Sequence, residues 1–85
     1  MSLSSEAIQY RVAEIISAIF SVPLDTITSD SSPTTIENWD SMGQLMLVLE
    51  IEQQFGVQFS PEEVEKLTSV QAIVSMLQNK EIVLA

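Results

Sequence analysis

This sequence contains no cysteine and no histidine. Disulfides, a thiolate nucleophile, thiolate or imidazole metal ligands and a Ser-His catalytic pair are therefore all excluded. A chain without disulfides suits a reducing compartment, so a cytoplasmic location is expected. Basic residues are scarce as well: three Lys and Arg stand against twelve Asp and Glu, for a formal net charge of −9. No Lys or Arg lies between Arg11 and Lys66, an interval that holds ten carboxylates. Such a field repels phosphate backbones and anionic lipid surfaces, which argues against nucleic acid and membrane partners. It would instead steer partners that present Lys and Arg patches. No apolar run approaches the length of a bilayer span, and the start Met1-Ser2-Leu3-Ser4-Ser5-Glu6 has neither the basic region nor the apolar core of a signal peptide.

What is present is enough apolar material for one core. The 85 residues are 46% apolar, with only two glycines and three prolines, and are expected to form one domain over 1–85. No segment alternates apolar and polar residues for long, so the expected class is all-α. A first helix over about 3–20 carries Ile8, Val12, Ile15, Ile16 and Ile19 on one stripe and ends before Pro23. A long connection rich in Ser, Thr, Asp and Pro follows. Val22, Leu24, Ile27 and Ile36 are spaced through it, as in a loop that packs down on the helices. A second helix over about 41–55 stops at Gly56. Ser60-Pro61-Glu62-Glu63 opens a short third helix (61–67) with a capping box and a proline at its first position. Thr68-Ser69-Val70-Gln71 suggests another capping box, before a fourth helix over about 69–79. The expected architecture is a four-helix bundle of three longer helices and one short one. The tail 81–85 either extends the last helix or frays.

The second helix carries more apolar surface than one stripe needs. At about 100° per residue, Leu47, Val48, Ile51 and Phe55 share one side. Met42, Leu45, Met46 and Leu49 share nearly the opposite side, with Ser41 at its edge. Two readings are open. The helix is buried all round, or the second face is an apolar docking patch with Asp40 and Glu52 on its rim and adaptable methionines within it. Ser41 is equally double. With Gln44 it matches a capping box, and without a histidine its hydroxyl cannot be an activated nucleophile. A helix N-terminus does favour a covalently attached phosphate, so the position permits modification by another protein. Asp25 and Asp30 lie too sparsely for a calcium loop, and no metal is expected.

Asp40-Ser41-Met42 at the head of a helix, an acidic chain of this size, Ile51-Glu52-Gln53-Gln54-Phe55-Gly56-Val57 and Phe59-Ser60-Pro61-Glu62-Glu63 together resemble the acyl carrier protein family over nearly the whole chain. Met42 departs from the family's usual Asp-Ser-Leu. The resemblance implies a carrier, not an enzyme. Ser41 would receive 4′-phosphopantetheine from coenzyme A through a phosphopantetheinyl transferase, and acyl groups would ride on the arm's thiol as thioesters. Asp40 would help present the serine. Met42, Leu45, Met46 and Leu49, with Glu52, would form the surface recognised by acyl-loading ligases, transferases and synthases that carry basic docking patches; a monomer is expected.

Gly43 and Met46 stand where fatty-acid-synthesis carriers are commonly acidic, and Gln53 follows Glu52. The face is thus more apolar than the family norm, which points to a specialised secondary-metabolite, cell-envelope or aminoacyl pathway. The alternatives are an aminoacyl or peptidyl carrier, although Trp39-Asp40 replaces the Gly-Gly-x pattern often seen before that serine, and an acidic helical interaction domain in which Ser41 only caps. The cargo, and any acyl cavity between helices, are not legible at this level.

Overall fold

The computed structural model describes residues 4–80, and all of its regular structure is helical. Four α-helices follow in order: α1 (Ser5–Phe20), α2 (Ser41–Phe55), α3 (Pro61–Glu65) and α4 (Val70–Gln78). One turn of 3-10 helix, Leu24–Thr26, interrupts the long α1–α2 connection. Three longer helices and one short one are as expected. The expected start at Leu3 and the tail 81–85 lie outside the described residues.

Local chemistry sets most of the ends. Ser4 caps α1 by accepting from Ala7 N at 3.1 Å, so the helix starts at Ser5. Ser60 and Glu63 form the expected reciprocal capping box at α3. That helix is shorter than expected, because Lys66 and Leu67 close it with tight turns to Glu63 and Val64 carbonyls. The second expected box is corrected: Ser69, not Thr68, caps α4 by accepting from Ala72 N at 3.0 Å, which leaves Gln71 outside the capping geometry. Gly56 ends α2 with φ 64°, a left-handed conformation that glycine takes without a Cβ penalty.

Ile8, Val12, Ile15 and Ile16 of α1 are buried as their spacing requires, and Phe20 extends that stripe to the helix end, while Ile19 is half-buried against the core. They meet Leu47, Val48, Ile51 and Phe55 of α2 and Val70, Ile73, Val74 and Leu77 of α4 in one cluster. Helices α1 and α2 run antiparallel. Phe20 stacks on Trp39 just before α2, whereas Arg11 reaches Gln54 at the far end of α2 at 3.5 Å. Lys80 ties the far end of α4 to α3, 3.0 Å from the Glu63 carboxylate and 5.1 Å above the Phe59 ring. The Ser60 backbone N–H and then Lys80 hold the Glu63 carboxyl below its ordinary value.

The α1–α2 connection is bound down along its length. Ile36 and Trp39 are buried, and Val22 and Ile27 pack against the core. Ser31 is buried with its hydroxyl accepting from Thr28 N at 2.9 Å. The carbonyls of Ser31 and Ser29 accept from Val70 N and Gln71 N, both at 2.9 Å. Those two amides have no partner inside α4, so the loop satisfies donors that a free helix would leave to water.

The loop also explains Gly43. A Cβ there would stand 2.6 Å from Phe20 Cε1 and closer still to the Asn38 carbonyl oxygen. Glycine at this helical position serves space and not a special φ. Gly43→Ala is therefore expected to destabilise by about 1–3 kcal/mol through overpacking, although helix propensity alone would make it stabilising by about 1 kcal/mol. Urea unfolding followed by circular dichroism decides the sign.

Candidate functional site

The start of α2 is built by Asp40. Its side chain accepts from Gly43 N at 2.9 Å and its carbonyl from Gln44 N at 2.8 Å, so Asp40 is the N-cap and Ser41 the first helical residue. This corrects the capping box expected of Ser41 with Gln44. The carboxylate one residue earlier outcompetes the hydroxyl for the amide donors. Ser41 is left exposed, and among the described residues no group hydrogen-bonds its Oγ. The residue has no structural task that its hydroxyl performs.

Gln44, released from capping, does something the sequence reading did not foresee. Its Oε1 accepts from Trp39 Nε1 at 2.6 Å, and its Nε2 donates to the Val64 and Leu67 carbonyls, both at 3.1 Å. The two carbonyls belong to the last turn of α3 and the residues just past it, where helical N–H donors run out. Trp39 is held in turn by Phe20, with ring centroids 5.8 Å apart and planes 20° apart. One chain of contacts thus joins α1, the loop, α2 and α3 beside Ser41. A signal for it existed: Gln44 falls on the same helical arc as the buried Ile51 and Phe55, where a polar side chain needs partners.

A groove of about 420 Å³ opens beside this contact, lined by Pro33, Trp39, Ser41, Gln44, Val64 and Leu67. A larger groove of about 640 Å³ lies between α1 and the 3-10 turn, against Tyr10, Ala13, Leu24 and Ile27, and shares no residue with it.

The second face of α2 is open. Met42 is 67% exposed, Leu45 55%, Met46 49% and Leu49 56%, so the helix is not buried all round. The rim carboxylates are employed locally. Asp40 caps the helix, and Glu52, half-buried, accepts from Phe59 N at 2.8 Å, which braces the α2–α3 connection. Gly43 is buried under Asn38 and Phe20. Its lack of a carboxylate therefore says nothing of the outer face, and Met46 and the exposed Gln53 alone carry that reading. No described helix is long and apolar enough to cross a membrane.

Comparison with known proteins agrees with the geometry. The family described as "Phosphopantetheine attachment site" matches residues 11–77. An acyl carrier protein of Petrotoga mobilis is 37% identical over 70 residues, covering 82% of each chain. One of Thermosynechococcus vestitus is 30% identical over 78 residues, covering 92% of this chain and 96% of its own. The solved structure of an acyl carrier protein from Enterococcus faecalis superposes with a TM-score of 0.75 at 32% identity, over 93% of this chain and all of that one.

The division of labour between the two neighbours is measurable. Asp40→Ala is expected to cost about 0.5–2 kcal/mol through the lost cap. Ser41→Ala should stay within about 0.5 kcal/mol of the parent, as for an exposed side chain with no partner. Denaturant midpoints of the two variants, at unchanged m-value, distinguish them.

Proposed function

The chain belongs to the acyl carrier proteins of the phosphopantetheine-attachment family, and on that premise we propose that Ser41 is the residue that receives the arm. Members of this family carry 4′-phosphopantetheine covalently on a serine, and they are carriers and not enzymes. The observation that carries the assignment is the exposed Ser41 hydroxyl at the first position of α2, free of any hydrogen bond among the described residues. The surroundings fit the group. The phosphate would sit at the positive end of the α2 dipole, and the groove along Trp39, Val64 and Leu67 offers apolar wall to a flexible chain. When bound, the group supplies a terminal thiol on which an acyl group is held as a thioester.

Attachment forms the bond between Ser41 Oγ and phosphorus and breaks the pyrophosphate of coenzyme A, releasing 3′,5′-ADP. The chain has no histidine or cysteine to take the serine proton, so the base must come from the transferase. Asp40 contributes by fixing the helix start through Gly43 N, which holds the serine at a rigid corner. The remaining acidic surface draws in partner enzymes with basic docking sites. Met42, Leu45, Met46 and Leu49 then give such a partner an apolar centre, with Asp40 and Glu52 at its edge. Met46 and Gln53 leave this face poor in charge, which favours partners of a specialised pathway over the fatty-acid-synthesis enzymes.

Two outcomes follow. Incubation with coenzyme A and a promiscuous phosphopantetheinyl transferase should add one phosphopantetheine by intact mass, and Ser41→Ala, still folded, should gain none. A persistent adduct on that variant assigns the arm elsewhere. In the second experiment, malonyl loading and elongation by fatty-acid-synthesis enzymes should be poor; loading as efficient as on a housekeeping carrier contradicts specialisation.

A further inference from the structure

We propose that the groove between α1 and the 3-10 turn is a second docking surface. It takes a segment of a partner protein that carries an aliphatic or aromatic side chain beside Lys or Arg, and it works independently of Ser41 and of the exposed face of α2.

The groove is preformed. Ser21, with φ 56°, turns the chain back at the end of α1, and the Ser17 hydroxyl donates to the Val22 carbonyl at 2.6 Å, which fastens the returning chain to the helix. The 3-10 turn closes on itself, with the Thr26 and Ile27 amides donating to the Pro23 and Leu24 carbonyls. Further on, the Ser29 and Ser31 carbonyls are tied to the start of α4, so this wall is fixed at both ends. The space enclosed, about 640 Å³, is that of an ordinary binding cleft. Its floor is the buried Ala13 and the half-buried Ile27, which packs on the core. Tyr10, 58% exposed, and the half-buried Leu24 form its sides, and neither belongs to the core cluster of the described residues. Core packing therefore does not account for their apolar surface, and an apolar side chain entering between them leaves water.

Charge selects the occupant. Glu6 of α1 and Asp25 of the turn stand on opposite walls, and no described cation lines the groove. Among the described residues neither carboxylate is in a salt bridge, so each is open to a Lys or Arg. An anionic occupant would meet both carboxylates in a chain of net charge −9. The apolar stretch Ile82-Val83-Leu84 follows Glu81 and brings no cation, and a second copy carries the same excess of negative charge. A basic partner segment meets every requirement. Its site is also remote from the α2 face. At about 100° per residue, Glu6 and Ala13 lie roughly 140–160° around α1 from Arg11, the residue that reaches Gln54 of α2. A partner held here leaves Met42, Leu45, Met46, Leu49 and Ser41 accessible, whether or not Ser41 bears the arm.

The test pans a displayed random-peptide library on the full chain and measures the enriched sequences, as synthetic peptides, by calorimetry and by amide NMR shifts. Peptides with a large apolar residue beside Lys or Arg should emerge, shifting the amides of residues 6–13 and 24–27 and leaving those of 41–49 in place. Tyr10→Ala and Leu24→Ser should each raise Kd about tenfold. Glu6→Gln and Asp25→Gln should each raise it about twofold to fivefold, a difference that added salt removes. Circular dichroism checks the fold of each variant; if Leu24→Ser is unfolded, the exposed Tyr10 and the two carboxylates carry the test. No enrichment, peptides without cations, shifts centred on Met42 to Leu49, or an unchanged Kd in Tyr10→Ala overturns the proposal. So do NOEs from Leu24 to Ile82 or Leu84 in the free chain, which make its own end the occupant. Sedimentation that rises with concentration and loses that rise in Tyr10→Ala makes the occupant a second copy, and equally refutes it.

Discussion

The N-terminus of α2 is where α1, the long connection and α3 converge. Phe20 at the end of α1 stacks on Trp39, Trp39 donates to Gln44, and Gln44 donates to two carbonyls at the end of α3. The Asn38 carbonyl and the Phe20 ring come so close to α2 that only a glycine fits at position 43. Aromatic packing and a satisfied, half-buried amide are mutually reinforcing, because each fixes the geometry the other needs. The consequence is a corner that does not move. Ser41 projects from it into solvent with its hydroxyl uncommitted.

This arrangement separates structural from functional tasks among adjacent residues. Asp40 satisfies the amides, Gly43 admits the loop, and Gln44 holds the neighbouring helix. Under the proposed role, Ser41 has to be reached by enzymes of different shapes, and a hydroxyl engaged as a cap would have to be released each time. Placing the cap one residue earlier avoids that conflict. The exposed Met42, Leu45, Met46 and Leu49 continue from the same corner along α2, so one approach direction can bring a partner to both. The net charge of −9 acts at longer range and selects the sign of the partner surface, while the apolar face acts only at contact.

Much of the fold was legible in the chain because it rests on local rules. The Ile8-Val12-Ile15-Ile16 stripe, the Ser60–Glu63 box with Pro61, and Gly56 as a stop each involve residues within one or two turns of one another. Where two local rules competed, sequence reasoning erred. Asp40 and Ser41 are both good caps, as are Thr68 and Ser69, and only the three-dimensional path of the incoming chain chose between them. The two faces of α2 were likewise visible in the pattern, but exposure of the outer one depended on where the long loop went. It runs instead to the start of α4, where the Ser29 and Ser31 carbonyls receive the Val70 and Gln71 amides.

By itself the sequence determined an all-helical acidic domain, a second helix with two apolar faces, and Ser41 at the head of that helix. Those follow from composition, from a period of 3.6 and from motifs contiguous in the chain. The tertiary structure alone decided that Asp40 is the cap and leaves the Ser41 hydroxyl free among the described residues, that Gly43 faces inward, and that Trp39 and Gln44 join four elements. Each of these depends on contacts such as Gln44 with Leu67, which are distant in sequence and leave no periodic trace. A hydrogen bond between remote residues is specified by the packing of the whole chain, and only the folded chain displays it.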